Sequence, residues 1–264
     1  MGIVNVTPDS FSDGGSFFLT QKAIDHAKRL EDEGADIIDI GGESTRPFSV
    51  AVAHDEELRR VTPLLEKLQG KVSIPISIDT SKASVAQAAV DLGAEIINDV
   101  SGLTADDAMP GVVSSTKTGV CVMHMQGTPA TMQNTPTYRN VVADVFEYLQ
   151  QRVNVLAQLG IARENICIDP GIGFGKSHEH NIELFRSMHV FHQIAVPVLV
   201  GHSRKGFIAK ILGDKSRDRT FGTVGVSLAM MQQGVQILRV HDVRATRDAI
   251  DLFLATCNAS TFRD

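Results

Sequence analysis

The chain has no tryptophan, two tyrosines and three cysteines among 264 residues, and it carries no basic excess, its formal charge being −6. Each shortage excludes something. Aromatic residues amount to 5%, too few for the stacking platforms that hold single-stranded nucleic acid. The acidic balance also lacks the basic cluster of a nucleic-acid surface, so no nucleic-acid partner is expected, although a small anion held locally is compatible with this charge. The longest apolar runs, such as Val196 to Val200, fall far below the roughly twenty residues of a membrane span. No basic stretch followed by an apolar block opens the chain, and the expectation is a cytoplasmic protein without membrane contact. Cys121 and Cys167 lie in apolar strand-like runs and Cys257 near the end of the chain, with no ligand-like spacing; they read as reduced thiols.

Hydrophobic residues make up 43% and charged residues 21%, the balance of a globule with a sizeable core. Short β-branched runs alternate with longer amphipathic ones. The strand-like runs are Gly2 to Val6, Asp36 to Gly41, Ile74 to Asp79, Glu95 to Val100, Val120 to Met125, Asn165 to Asp169, Val196 to Gly201 and Gln236 to Val240. Helical patterns follow them: Leu58, Val61, Leu65 and Leu68 recur at helical steps after the second, and Val142, Val145, Leu149, Val153 and Leu156 after the fifth. Gly225 and Val226 interrupt the pattern before the eighth strand. Eight such units in this length match a (β/α)8 TIM barrel better than a doubly wound open sheet. No linker or low-complexity segment breaks the rhythm, so residues 1–264 are read as one domain.

In a barrel of this kind the reactive groups stand at the C-terminal strand ends, and alternation decides which side chains face inward. In Ile76-Ser77-Ile78-Asp79 the isoleucines suit the helix layer, leaving Ser77 and Asp79 inside. The same parity turns Asn98, Met123, Asp169, Ser203, Arg239 and His241 inward, with Lys205 following Ser203 and Asn5 ending the first strand. A lone Asp after a strand is as readily a helix cap, but so many converging tips are not explained that way. Inward carboxylates need donors; Asn98, Lys205 or a ligand's N–H groups are candidates. Two carboxylates, an amide and a lysine suit a fused heterocycle with a guanidine-like edge, since one carboxylate accepts two parallel N–H bonds.

Thr45-Arg46 after the second strand and Arg239-Val240-His241 on the eighth look suited to phosphate. The plainer reading of Arg239 and His241 is a surface salt bridge with Asp242 or Asp248. A pyrophosphate would bring Mg²⁺, which needs few protein ligands, and Asn5 offers an amide oxygen. Three other patterns carry less. The run from Gly171 to Ser177 resembles a P-loop, but Pro170 stands where its first glycine belongs. The run from Gly201 to Lys205 resembles a nucleophile elbow until Lys205 replaces the final glycine. The nine histidines show no zinc spacing, and His124 reads as a packed strand residue.

Taken together, MGIVNVTPDSFSDGG at Met1 to Gly15, GGESTRP at Gly41 to Pro47, ISIDTSK at Ile76 to Lys82, INDVSG at Ile97 to Gly102, MHMQGTP at Met123 to Pro129, DPGIGFGK at Asp169 to Lys176, VGHSRKGFI at Val200 to Ile208 and RVHDV at Arg239 to Val243 resemble the dihydropteroate synthase family in order and spacing. The resemblance spans nearly the whole chain. It implies condensation of 6-hydroxymethyl-7,8-dihydropterin diphosphate with 4-aminobenzoate, with Mg²⁺, in a homodimer. By that pattern Asp79, Asn98, Asp169 and Lys205 hold the pterin, with Met123 and Phe174 near its plane. Thr45, Arg46, Arg239 and His241 hold the diphosphate, and Asn5 the magnesium. Phe11, Pro47 and Ser203 frame the aminobenzoate, where sulfonamides compete in this family. Asp79, Asp169, Lys205, Arg239 and His241 are the candidate catalytic groups.

Phe48 departs from the pattern, which usually has glycine there, and its bulk is expected to narrow the aminobenzoate entrance. Family members commonly carry a short segment ahead of the first strand, so a shortened start is a further expectation. Two alternatives compete: a barrel methyltransferase taking methyl from methyltetrahydrofolate to a corrinoid protein, and a non-catalytic pterin-binding relative. The first has no need of a diphosphate site, and the second does not need Asn5, Asp79 and Lys205 together.

Overall fold

The computed structural model describes residues 1–7 and 16–257, and side chains for 1–7 and 20–257. Strands β1 (Gly2–Asn5), β2 (Ile38–Gly41), β3 (Ile76–Asp79), β4 (Ile96–Asp99), β5 (Gly119–Met123) and β6 (Ile166–Asp169) pair in chain order as one parallel sheet. β7 (Leu199–Val200) pairs in parallel with β8 (Ile237–Leu238). Two parallel bridges, Ile168 to Val198 and Gly2 to Val240, join these sheets at both seams. Across the second seam Ile3 N donates to Val240 O at 3.1 Å and Val240 N to Met1 O at 3.0 Å. The ring therefore closes as an eight-stranded barrel among the described residues, which leaves no sheet edge exposed.

The helices are α1 (Ser16–Asp32), α2 (His54–Leu68), α3 (Ala83–Asp91), α4 (Met109–Thr116), α5 (Val141–Gln158), α6 (His178–Arg186), α7 (Gly206–Leu212), α8 (Thr220–Gln232) and α9 (Val243–Cys257). The seventh unit carries two of them, the short α7 preceding α8. Alternation sorts the core into two shells. Val4, Ile38, Ile40, Ile78, Ile97 and Ile168 pack outward into the helix layer, while Met1, Cys121 and Leu199 pack inside, with Ile37, Cys167 and Ile237 against them. On α5 the buried stripe begins at Val141, with Val142 only partly buried. α8 runs unbroken through Gly225, whose missing Cβ would meet nothing. That glycine faces solvent and weakens the helix by about 1 kcal/mol relative to alanine without ending it.

Candidate active site at the C-terminal mouth

The strand register sets Asn5 beside Gly41, Gly41 beside Asp79, and Asp79 beside Asn98, and Met123 beside Asp169. Asp79, Asn98, Met123 and Asp169 are all buried. Two glycines stand in contact range of these polar tips. A Cβ on Gly41 would lie 3.6 Å from Asn5 Oδ1 and 3.7 Å from Asp79 Oδ2, and one on Gly201 would lie 3.7 Å from Asp169 Oδ2. The result is a cluster of buried carboxylates and an amide at the barrel mouth, a set of groups that suits the edge of a flat polar ligand.

The partners of these groups differ from the sequence expectation. Arg239, not a lysine, meets Asp79: its Nη2 donates to Asp79 Oδ2 at 2.6 Å and its Nε to Asp39 Oδ2 at 2.6 Å. Asn98 Nδ2 donates to the same Asp39 oxygen at 3.3 Å. Asp242, the partner foreseen for Arg239 in the plainer reading, pairs with Arg204 instead. Burial pushes Asp79 up to about 7, against the pull of the Arg239 charge. Arg239 itself is held protonated; burial works against this, but Asp39 and Asp79 outweigh it. Asp39 escaped the sequence reading because a single Asp midway along an apolar strand carries no motif; its inward parity with Gly41 was the available signal.

Asp169 accepts the backbone N–H of Gly171 at 2.7 Å. Burial raises its pKa, with the Lys205 charge opposing. Lys205 donates to the carbonyl of Ile172 and places its ammonium 4.5 Å from the centre of the Phe174 ring. Burial pulls it down to about 8 against the attraction of Asp169. The glycine-rich turn between β6 and α6 is therefore structural support for the site. Gly171 adopts φ +71°, and a Cβ there would collide with the carbonyl oxygen of His124, so only glycine serves. Lys176 ends the turn fully enclosed, donating to His124 Nδ1 at 2.9 Å, His124 O at 3.2 Å and Phe174 O at 2.9 Å. Burial and the Lys176 charge hold His124 neutral, its pKa down to about 3. His124 is thus a packed histidine, as read from the sequence, but its lysine partner was not foreseen.

At the anion side, His241 directs both its backbone N–H and Nδ1 to Ser203 Oγ, at 3.1 and 3.0 Å. Burial, then the Arg204 and Arg239 charges, lower His241 to about 4, so at neutral pH it offers one N–H rather than a cation. Thr45 is half-buried and Arg46 and Pro47 are exposed on the loop between β2 and α2. Glu43 anchors that loop. Its Oε1 accepts Val52 N at 2.9 Å, and its Oε2 takes the Lys82 ammonium, which also donates to the enclosed Glu57 at 2.5 Å. Phe48 stands at φ +64° with its N–H on Pro129 O at 3.0 Å. The side chain is 67% exposed, and the left-handed backbone explains why glycine suits this position. Phe11 lies outside the described residues. Among the described residues no three His, Cys, Asp or Glu side chains converge as a metal cage. Asn5 at the rim is the donor available to a cation that brings most of its own ligands.

The model of pterin binding enzymes matches residues 1–241. The dihydropteroate synthase of Haemophilus influenzae is 46% identical over 259 residues, covering 98% of this chain and 94% of that protein. The structure of Yersinia pestis dihydropteroate synthase with a sulfonamide drug complex superposes with a TM-score of 0.91 at 41% identity, covering 97% of this chain and 93% of the other. That of Xanthomonas albilineans dihydropteroate synthase with 4-aminobenzoic acid gives 0.91 at 43% identity, covering 98% and 92%. A closed barrel with its buried carboxylates at the C-terminal mouth, matched over nearly its full length, places the chain in the pterin-binding enzymes and, among them, in the dihydropteroate synthase family.

Proposed function

We propose that the chain condenses 6-hydroxymethyl-7,8-dihydropterin diphosphate with 4-aminobenzoate, giving 7,8-dihydropteroate and diphosphate. The observation that supports it best is the cluster of Asp79, Asn98 and Asp169 at the barrel mouth, with the Arg239 guanidinium held among them by Asp79 and Asp39. Asp79 and Asp169 accept the pterin's N–H groups, Asn98 and Lys205 bind its remaining polar edge, and Met123 and Phe174 lie against its plane. Thr45, Arg46, Arg239 and His241 take the diphosphate, while Ser203, Pro47 and Phe11 frame the aminobenzoate.

The methylene-to-oxygen bond breaks with its electron pair leaving on diphosphate. The cationic side chains stabilise that departing charge, and the two buried carboxylates offset the positive charge left on the pterin. The aromatic amine then forms the new C–N bond and loses a proton, with no strong base required. Asn5 is the residue that would hold magnesium, whose hard charge is served by an amide oxygen, and the ion would supply neutralisation of the leaving group's charge there. Exposed apolar side chains at Ile211 on α7, Phe221 on α8 and Leu252 on α9 support a homodimer through that side of the barrel. No helix among the described residues is long and apolar enough to cross a membrane.

The test is diphosphate release with magnesium, with and without 4-aminobenzoate, in wild type and Asp79→Asn. The expected result is release coupled to dihydropteroate formation, lowered by about 100-fold or more in the variant. Tight pterin binding without release would assign the chain to a non-catalytic pterin-binding role.

A further inference from the structure

Asp39 has no part in the scheme above, yet its carboxylate is fully enclosed beside the pterin-edge groups Asp79 and Asn98. Oδ2 accepts from both Arg239 Nε and Asn98 Nδ2, and Oδ1 has no hydrogen-bond partner among the described residues. Enclosing a carboxylate is costly unless it is well paired. Here its two donors come from opposite sides of the mouth, one from the residue assigned to the diphosphate and one from the residue assigned to the pterin. The Nε bond fixes the guanidinium plane, and Nη2 holds Asp79 in the same plane. The bond to Asn98 Nδ2 likewise fixes the amide orientation, leaving its oxygen as the end available to a ligand.

Resting on the condensation reading, we propose that Asp39 is a positioning residue for both subsites and the pivot of an exchange at Arg239. On substrate binding Asp79 turns from Arg239 Nη2 to the pterin's N–H groups. The released Nη2 takes the diphosphate, and the Nε bond to Asp39 stays in place throughout. Binding of the pterin edge and binding of the anion are thereby coupled through one guanidinium, because neither Asp79 nor Arg239 is fully available until the other is engaged by substrate.

Charge alone predicts the opposite of this proposal, and that makes the test sharp. Asp39→Asn keeps the shape and removes a negative charge from below an anion site, so a purely electrostatic role for Asp39 would tighten anion binding. A positioning role weakens it, because Arg239 is left with Asp79 as its sole acidic partner and a looser plane. The experiment is calorimetric titration of the full chain with inorganic diphosphate, alongside steady-state kinetics varying each substrate. In Asp39→Asn the dissociation constant for inorganic diphosphate and the KM for the pterin substrate should each rise by about tenfold, with the KM for 4-aminobenzoate within about twofold of wild type. Diphosphate bound as tightly as in wild type or more so, or a fall in kcat with neither KM changed, would overturn the proposal. Should Asp39→Asn not fold, Asp79→Asn carries the test. It frees Arg239 Nη2 from its competitor and should tighten inorganic diphosphate by about threefold or more beyond the effect of Asp169→Asn, which removes the same charge from the mouth without a hydrogen bond to Arg239; equal effects of the two variants, or unchanged or weaker binding in Asp79→Asn, would sink the exchange. Wild-type protein that binds diphosphate but forms no dihydropteroate would count against the condensation reading alone, because the titrations do not depend on turnover.

Discussion

Asp79 and Lys205 stand at opposite ends of the same ionisation problem. Burial raises the carboxylate to about 7 and lowers the ammonium to about 8, in each case against the attraction of an oppositely charged neighbour. Asp79 accepts a pterin N–H pair only when ionised, above its pKa, and Lys205 donates as an ammonium only below its own. The kcat/KM for the pterin substrate should therefore rise with pH through about 7 and fall again above about 8, as expected when that parameter reports groups of the free enzyme. In Asp79→Asn the acid limb should vanish from whatever activity survives. A pH–rate profile that is flat through 7 in wild type would show that the ionisation of Asp79 does not control binding. These shifts were invisible in the sequence, because they follow from enclosure and from Arg239, which is 160 positions away in the chain.

Between elements, a close join lies where β2 leads into α2. A Cβ on Gly42 would come within 2.8 Å of Val61 Cγ1 and 3.0 Å of Glu57 Cγ, so strand end and helix approach as closely as a glycine permits. Lys82, just before α3, then ties Glu43 on the loop to Glu57 on the helix. Glu57 is fully enclosed, and Lys82 and Glu43 keep only 22% and 18% of their side-chain surface exposed, so solvent screens this group weakly. Lys82→Met would leave two carboxylates facing each other without a counter-charge. The expected cost is about 3–5 kcal/mol of stability, measured as a lower midpoint in urea unfolding. Diphosphate affinity should weaken too, since Thr45 and Arg46 ride on the loop that Glu43 anchors. Glu43 and Lys82 both stand inside motifs recognisable in the sequence, after the second and third strand-like runs, but nothing local paired residues 39 positions apart.

For the molecule as a whole, the ring is thin at both seams, each completed by a single bridge beside a two-residue strand, and the seam between β8 and β1 is the one that carries site residues. Val240 occupies that bridge and is flanked by Arg239 and His241, so closure of the barrel and placement of the anion groups depend on the same backbone. Val240→Pro removes the N–H that Met1 O accepts and should cost about 3 kcal/mol or more, with a lowered melting temperature and a matching loss of diphosphate binding. Retention of both would mean that the other seam contacts suffice to hold β8.

What the sequence determined by itself was whatever rests on local periodicity. Strand alternation turned Asp79, Asn98, Met123 and Asp169 inward, helical spacing marked the buried stripes of α2 and α5, and the count of units set the barrel, because each of these depends only on neighbouring residues and the pitch of their element. The tertiary structure alone decided which charges meet. Arg239 reaches Asp39 across 200 positions of chain, a pair that exists only once the sheet has curled round to bring its first and last strands together, and Lys176 meets His124 across 52, a pair that exists only once β6 has docked beside β5.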